Sequence, residues 1–238
     1  MLNIKNLRFS YPNSAFTLTI NDLTFKPGEI SALIGGNGCG KTTLFRLLSG
    51  VYQPEVPCFS FNGVPKTAHS KLDCNIVMHN SYGGISPRLT VLQNAQFVAR
   101  LYGCNSSKQH ITQLAKSIDI SEYLEAKSDQ LSAGQSQKAM LLRTLASSPD
   151  IVLLDEPTTA LDVIGIETTL LWINALSKAG KTVIVSTHHL YELGMMQPHV
   201  IGLRDGKIVC DITNKEDISS PKKARELIHS IIGTSHEY

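Results

Sequence analysis

The feature that most constrains the fold is the segment Gly35-Gly36-Asn37-Gly38-Cys39-Gly40-Lys41-Thr42, which matches the pattern G-x-x-x-x-G-K-[ST]. Glycines at these spacings let successive backbone N–H groups turn inward around anionic oxygens. Lys41 can then reach the β- and γ-phosphates of a nucleotide, and the Thr42 hydroxyl can ligate Mg²⁺. An apolar strand, Ile30–Ile34, precedes the loop, and a helix is expected from about Lys41 to Ser49. This order predicts a nucleotide-binding α/β domain with an anion-binding helix N-terminus.

A second apolar strand, Ile151–Leu154, ends in the carboxylates Asp155 and Glu156. Ligands collect at the carboxyl edge of an open parallel sheet, so Asp155 is a candidate to hold Mg²⁺, directly or through water. Glu156 is the candidate to orient or deprotonate an attacking water. Pro157 biases the preceding residue away from helical backbone angles, so we expect Glu156 to be extended.

A third motif, Leu131-Ser132-Ala133-Gly134-Gln135, precedes a helical run from Ser136 to Ala146. Ser132 can cap this helix, and Gly134 exposes backbone N–H groups. The motif therefore predicts a second helix N-terminus suited to a phosphate group.

The other segments complete an α/β pattern, in which strands and helices alternate at the spacing of parallel β-α-β units. The expected elements are antiparallel strands within 2–9 and 16–25, a mainly helical region from Thr90 to Ser147, a helix in Ile166–Lys178, a strand at Thr182–Ser186, a hairpin across Val200–Cys210 and a C-terminal helix near Pro221–Ile232.

Composition excludes several classes of protein. The 238 residues carry 22 Lys+Arg and 20 Asp+Glu, a net charge of +2, which argues against a simple basic nucleic-acid-binding surface. No apolar run approaches the ~20 residues of a membrane-spanning helix, and the N-terminus lacks the pattern of a signal peptide. The five cysteines are scattered and indicate reduced thiols. We therefore expect a globular protein in the cytoplasm, with no nucleic-acid partner.

Together these motifs resemble the nucleotide-binding subunit of an ABC transporter over about residues 1–212. The resemblance implies a P-loop NTPase (RecA-like) α/β core with an N-terminal antiparallel β subdomain, an inserted helical subdomain at about 88–147 and a short C-terminal helical tail at 213–238. It also implies ATP and Mg²⁺ as cofactors, and ATP hydrolysis that powers a transmembrane permease subunit at the inner face of the cell membrane. The segment from Leu89 to Gly103 is similar to that of ABC-2 type exporters, which suggests export.

The resemblance assigns roles to further residues. Leu131–Gln135 is similar to the family's signature motif, 160–162 to its D-loop, Thr187-His188 to its switch histidine and Tyr11 to its adenine-stacking aromatic. In the family, the signature of one subunit closes over the nucleotide on the P-loop of another. Since this chain has one copy of each motif, it is expected to form a homodimer or to pair with another ABC ATPase.

Adjacent strand residues point to opposite faces, so at most one of His188 and His189 should face the γ-phosphate, and we choose His188. The complete set of candidates is Lys41, Glu156 and His188 for catalysis; Thr42 and Asp155 for the metal; and Tyr11, Gly35, Gly36, Asn37, Gly38, Cys39, Gly40, Lys41, Thr42, Thr43, Ser132, Gly134 and Gln135 for the nucleotide.

One departure from the family pattern stands out. The family has a glutamine after the strand that corresponds to Asn75–Met78, and this glutamine touches Mg²⁺ and links the site to the membrane partner. Here Ser81, or with a one-residue shift Tyr82, takes that place, since no glutamine occurs between Gln53 and Gln93. This departure keeps open a regulatory subunit that binds ATP without hydrolysing it. A second alternative, which does not depend on the glutamine, is a soluble ABC ATPase that acts on ribosomes or nucleic acid.

Overall fold

The computed structural model describes residues 1–54, 56–65, 76–80, 85–159, 161–213 and 221–232. Ser81 and Tyr82, the candidates for the missing glutamine, and Ala160 of the D-loop segment lie outside the described residues.

The described strands form one mixed sheet of ten strands in the order β5-β4-β1-β2-β10-β9-β3-β8-β7-β6. The strands are β1 (Leu2–Ser10), β2 (Thr17–Phe25), β3 (Ile30–Ile34), β4 (Phe59–Phe61), β5 (Val64–Pro65), β6 (Ile76–Asn80), β7 (Ile151–Asp155), β8 (Thr182–Ser186), β9 (His199–Arg204) and β10 (Lys207–Ile212). Parallel pairing joins β9, β3, β8, β7 and β6, whereas β1 pairs antiparallel with β2 and β4. The predicted parallel sheet and N-terminal antiparallel layer are confirmed.

Helices follow β3, β6, β7, β8 and β10 in the chain. They are α1 (Lys41–Leu48), α2 (Val91–Leu101), α3 (Lys108–Ser117), α4 (Ala133–Ala146), α5 (Val163–Lys178), α6 (Leu190–Met196) and α7 (Pro221–Ile232), with 3-10 turns at Ser121–Tyr123 and Ser128–Gln130. The helices α2, α3 and α4 lie together between β6 and β7 in the chain, which confirms the mainly helical region.

The central strands are apolar because both of their faces are covered. Every residue of β3 and β8 is buried, as are the first four of β7. Val152 and Leu154 pack in a cluster with α2, α4 and α5, whereas Ile151 and Leu153 pack in a cluster with α1 and the N-terminal strands. This alternation places two hydrophobic cores on opposite faces of one sheet.

The starts of the helices follow their capping residues. Thr90 accepts a hydrogen bond from the Gln93 N–H, and the Gln93 side chain accepts one from the Thr90 N–H. Ser132 and Gln135 make the same reciprocal pair at the start of α4. Such capping boxes stabilise a helix by satisfying N–H groups that have no partner within the helix.

The C-terminal helix α7 packs back onto the sheet. Ile231 is buried in a third cluster with Ala32, Ile34, Leu193 and Val200. A Cβ on the neighbouring Gly202 would lie 2.8 Å from Ile231, so the absence of a side chain there permits the close approach. The helix itself is confirmed, while the domain boundary at residue 212 stays a prediction.

Candidate functional site

The glycine-rich loop connects β3 to α1 with backbone angles that suit glycine. Gly38 and Gly40 have φ of 75° and 116°, in the region that side-chain-bearing residues rarely adopt. Gly35 needs space instead, because a Cβ there would lie 2.3 Å from the Leu203 carbonyl oxygen and 2.5 Å from Cys39 Sγ. Cys39 is buried in the loop.

Lys41 places a positive charge inside this loop. Its Nζ donates hydrogen bonds to the carbonyl oxygens of Gly35, at 2.7 Å, and Gly36, at 3.1 Å. Lys41 is also the first residue of α1, so its charge adds to the positive N-terminal end of the helix. Loop and lysine border a cavity of about 360 Å³, which Asn37, Gly38, Thr42, Thr43, Arg46, Met78, Asp155 and Glu156 also line.

Thr42 and Asp155 meet across the carboxyl edge of the sheet. The Thr42 hydroxyl donates to Asp155 Oδ2 at 2.9 Å, although the two residues are 113 positions apart. Ser186 Oγ donates to Asp155 Oδ1 at 2.5 Å, because the register of β7 on β8 puts these residues side by side. The two predicted metal ligands are therefore adjacent. The Ser186 contact was missed, since nothing local distinguishes the last residue of a buried strand.

Glu156 departs from the expected backbone. Its φ is 48°, in the left-handed region, so the prediction that Pro157 keeps it extended is wrong. The backbone N–H of Glu156 donates to Ser186 Oγ at 2.9 Å, a bond that fixes the turn at the end of β7. The residue before a proline avoids the right-handed helical region, and the left-handed region lies outside it just as the extended region does.

His188 lies beside Glu156. The distance from His188 Nδ1 to Glu156 Oε1 is 3.5 Å, and about half of the His188 side chain is exposed. The neighbouring His189 uses its backbone N–H to donate to Thr187 Oγ1 at 3.0 Å. Of the two histidines, the structure records a side-chain contact with Glu156 for His188.

Tyr11 belongs to an aromatic cluster next to α1. Its ring packs edge-on against Phe9 and Tyr52, with centroid distances of 5.2 and 5.6 Å. Its hydroxyl is 2.8 Å from Thr43 Oγ1, in the first turn of the helix that follows the loop. Tyr11 is thus held in place beside the glycine-rich loop.

The signature-like segment does not join this cavity. Ser132, Gly134 and Gln135 form the first turn of α4 and its cap, and none of them is among the residues that line the cavity at the loop. Within one chain, the described structure therefore brings together the loop, Asp155, Glu156 and His188, but leaves the second helix N-terminus apart.

A buried polar network links β6, α4 and the turn after Glu156, and sequence reasoning missed it. His79 is fully buried, with Nε2 3.4 Å from Gln137 Nε2. Gln137 Nε2 also donates to the Pro157 carbonyl oxygen at 2.9 Å. Burial, with a smaller contribution from the charge of Arg143, lowers the pKa of His79 from 6.5 to about 4. His79 is therefore neutral at physiological pH.

We expect His79 to make the protein acid-sensitive. Between pH 6.5 and 4 the unfolded chain binds a proton at His79 that the folded chain does not, so stability falls as the pH falls. The loss approaches ~3 kcal/mol near pH 4, at about 1.4 kcal/mol per pKa unit.

Urea unfolding of the wild type and of His79→Leu, each at pH 7 and pH 5, measures this loss of stability. The variant should lose less stability between these pH values, while His110→Leu on the exposed face of α3 should behave as the wild type. Equal losses in the wild type and His79→Leu would contradict the prediction.

Among the described residues, none of the helices has the length and apolar character needed to cross a membrane.

Comparison with known proteins gives a consistent result. A sequence model of the ABC transporter family matches residues 18–159. The ABC transporter ATP-binding protein NatA of Bacillus subtilis is 31% identical over 192 residues, which cover 79% of this chain and 78% of the relative. The tungstate uptake system ATP-binding protein TupC of Peptoclostridium acidaminophilum is 31% identical, with coverages of 87% and 96%. The SkfA peptide export ATP-binding protein SkfE of Bacillus subtilis is 30% identical and covers 89% of each chain.

Solved structures agree with the sequence relatives. A dimeric ATP-binding cassette in a post-hydrolysis state, bound to ADP and Pi, superposes with a TM-score of 0.77 at 25% identity, over 89% of this chain and 98% of that one. The predicted P-loop NTPase fold is confirmed.

Proposed function

The chain belongs to the ATP-binding subunits of the ABC transporter family, whose characteristic activity is ATP hydrolysis, and we propose that it powers a membrane permease as a homodimer. The convergence of Lys41, Asp155, Glu156 and His188 at one edge of the sheet carries this proposal. It favours a hydrolase over a subunit that only binds ATP, because the groups for charge stabilisation and for water activation are both in place.

Positioning and electrostatics supply most of the catalysis of phosphoryl transfer. Lys41 and the N-terminus of α1 would stabilise negative charge on the phosphates. Glu156 would accept a proton from the attacking water, and the adjacent His188 would contact the γ-phosphate. Tyr11 would stack on the adenine, since its hydroxyl bond to Thr43 holds the ring beside the loop.

Thr42 and Asp155 fit Mg²⁺. A hydroxyl and a carboxylate oxygen 2.9 Å apart are hard oxygen ligands, and Mg²⁺ is commonly held by one or two protein oxygens together with phosphates and water. When bound, the ion would neutralise charge on the β- and γ-phosphates. Ser186 would keep the Asp155 carboxylate aimed at it.

Pairing with a second copy would supply the missing half of each site. The first turn of α4, with Ser132 and Gly134, is a free-standing helix N-terminus outside the loop cavity of its own chain. Such a terminus attracts phosphate oxygens. We therefore place the Ser132–Gln135 turn of one protomer over the nucleotide on its partner. The dimeric cassette with ADP and Pi supports this arrangement by its similarity to the chain.

Export is the direction that we propose. The segment from Leu89 to Gly103 resembles that of ABC-2 exporter ATPases, and relatives include proteins named for peptide export and Nod factor export. Other relatives are named for tungstate uptake and phosphonate import, so import is the competing direction. The permease would select the substrate and would hold the chain at the cytoplasmic face of the membrane.

Co-purification distinguishes the transporter from the ribosome-associated alternative. We expect affinity-tagged full-length protein, expressed in its own host and extracted with mild detergent, to bring down an integral membrane protein in a two-to-two complex. Glu156→Gln should retain this partner, because Glu156 lies in the nucleotide cavity and glutamine has nearly the same size. Recovery of the protein wholly in ribosomal or nucleic-acid fractions, with no membrane protein, would refute the permease assignment.

A further inference from the structure

A buried carboxylate connects two parts of the candidate site. Glu192, on α6, is 2% exposed. Carboxylates are seldom buried to this extent unless their oxygens are hydrogen-bonded. Glu192 Oε1 accepts a hydrogen bond from the Thr158 hydroxyl, and Oε2 accepts one from the Thr187 hydroxyl. Both threonines are themselves buried. Each carboxylate oxygen thus has its own hydroxyl donor inside the protein.

The two threonines belong to the two segments that carry Glu156 and His188. Thr158 lies two residues after Glu156, in the turn that follows β7. Thr187 comes directly before His188, and its N–H donates to the Leu33 carbonyl oxygen at 3.2 Å. Thr187 Oγ1 also accepts the His189 N–H at 3.0 Å. Glu192 therefore joins the turn of Glu156 to a loop that is also fastened to the strand leading into the glycine-rich loop.

The helix that bears Glu192 is itself anchored. Leu193 is fully buried among Ala32, Ile34 and Ile231, and Met196 is buried in the cluster formed with α5. A helix fixed on both sides gives its carboxylate a defined position. The hydrogen bonds from the two threonines to Glu192 can then fix the distance between the turn of Glu156 and the loop of His188.

We propose that Glu192 is a positioning residue for ATP hydrolysis, which keeps Glu156 and His188 at their separation of 3.5 Å through Thr158 and Thr187. Glu192 is 2% exposed and is not among the residues that line the loop cavity, so it would act through the two threonines. The proposal rests on the roles proposed above for Glu156 and His188. Loss of the Glu192 contacts would slow the chemical step, because a small displacement of Glu156 or His188 strongly reduces its rate.

Thr158→Val tests the proposal, since valine keeps the shape of the side chain and removes its hydroxyl. We expect kcat of the purified full-length protein, measured with its membrane partner, to fall about 10- to 100-fold, as when other orienting partners are removed. The KM for ATP should stay within about twofold, because the glycine-rich loop is unchanged. Thr158→Ser restores the hydroxyl and should restore most of kcat.

Tyr191→Phe is the matched control on the same helix. The Tyr191 hydroxyl donates to Glu167 Oε1 at 3.1 Å on the exposed side of α6, so it is also a hydroxyl-carboxylate bond, but away from Glu156 and His188. Its kcat should equal that of the wild type. Thr187→Val removes the other hydroxyl, and provides the test if Thr158→Val does not fold.

The outcomes separate this proposal from the one on which it rests. Wild-type kcat in Thr158→Val or Thr187→Val, or failure of Thr158→Ser to recover more activity than Thr158→Val, would overturn the role of Glu192. A rise in the KM for ATP comparable in size to the fall in kcat would also overturn it, because that pattern indicates a general structural role. If instead Glu156→Gln hydrolyses ATP as fast as the wild type, the proposed role of Glu156 fails.

Discussion

Glu156→Gln is expected to reduce kcat for ATP hydrolysis by about 10² to 10⁴, the range for loss of a general base. Glutamine keeps the size of the side chain but cannot accept the proton of the attacking water. ATP binding should persist, because Lys41, Thr42 and Asp155 are unchanged. Phosphate release and fluorescent-nucleotide binding, measured on the same preparation, distinguish the two effects.

The control for this substitution is Glu122→Gln, which removes a carboxylate from an exposed 3-10 turn. Glu122→Gln should hydrolyse ATP at the wild-type rate. Chelation of divalent cations by EDTA should stop hydrolysis by Glu122→Gln and by the wild type. Equal turnover by Glu156→Gln and the wild type would show that another group activates the water. Absence of turnover in the wild type, even with the membrane partner, would favour the regulatory ATP-binding subunit.

Gly35→Ala is expected to lower the free energy of unfolding by about 3 kcal/mol, at the upper end of the cost of overpacking. The added Cβ would lie 2.3 Å from the Leu203 carbonyl oxygen, which is backbone of β9 and cannot rotate away. The glycine-rich loop or β9 must move, so nucleotide affinity should fall as well. Urea unfolding and nucleotide titration at 25 °C measure the two losses.

Gly38→Ala provides the comparison within the same loop. No heavy atom lies within 4 Å of a Cβ at this position, so only the positive φ of 75° opposes the substitution. That strain costs about 1 to 2 kcal/mol. A smaller loss of stability in Gly35→Ala than in Gly38→Ala would show that the close approach of β9 does not restrict the loop.

The most local parts of the fold were predicted well from the sequence. The strand Ile30–Ile34 and the helix Pro221–Ile232 have the predicted bounds, and Ser132 caps α4 as expected. The periodicity of hydrophobic residues, the capping residues and the spacing of glycines each depend on a few neighbouring residues. They can therefore be recognised without knowledge of the fold.

The contacts that complete the site were not predictable in the same way. Ser186, Glu192 and His79 carry no local pattern, and each acquires its role from a residue on another element. The backbone of Glu156 illustrates the same limit. Local preference excluded the right-handed helical region, but it did not indicate the left-handed conformation that Glu156 adopts.

The order of residues along the chain specifies which chemical groups this protein has and which element bears each of them. Lys41 opens a helix after a glycine-rich loop, and Asp155 ends a buried strand, because these are local properties of the chain. The contacts of Thr42 with Asp155 and of His188 with Glu156 exist only in the folded chain. The physical reason is the order and register of the parallel strands, which bring together residues far apart in the chain.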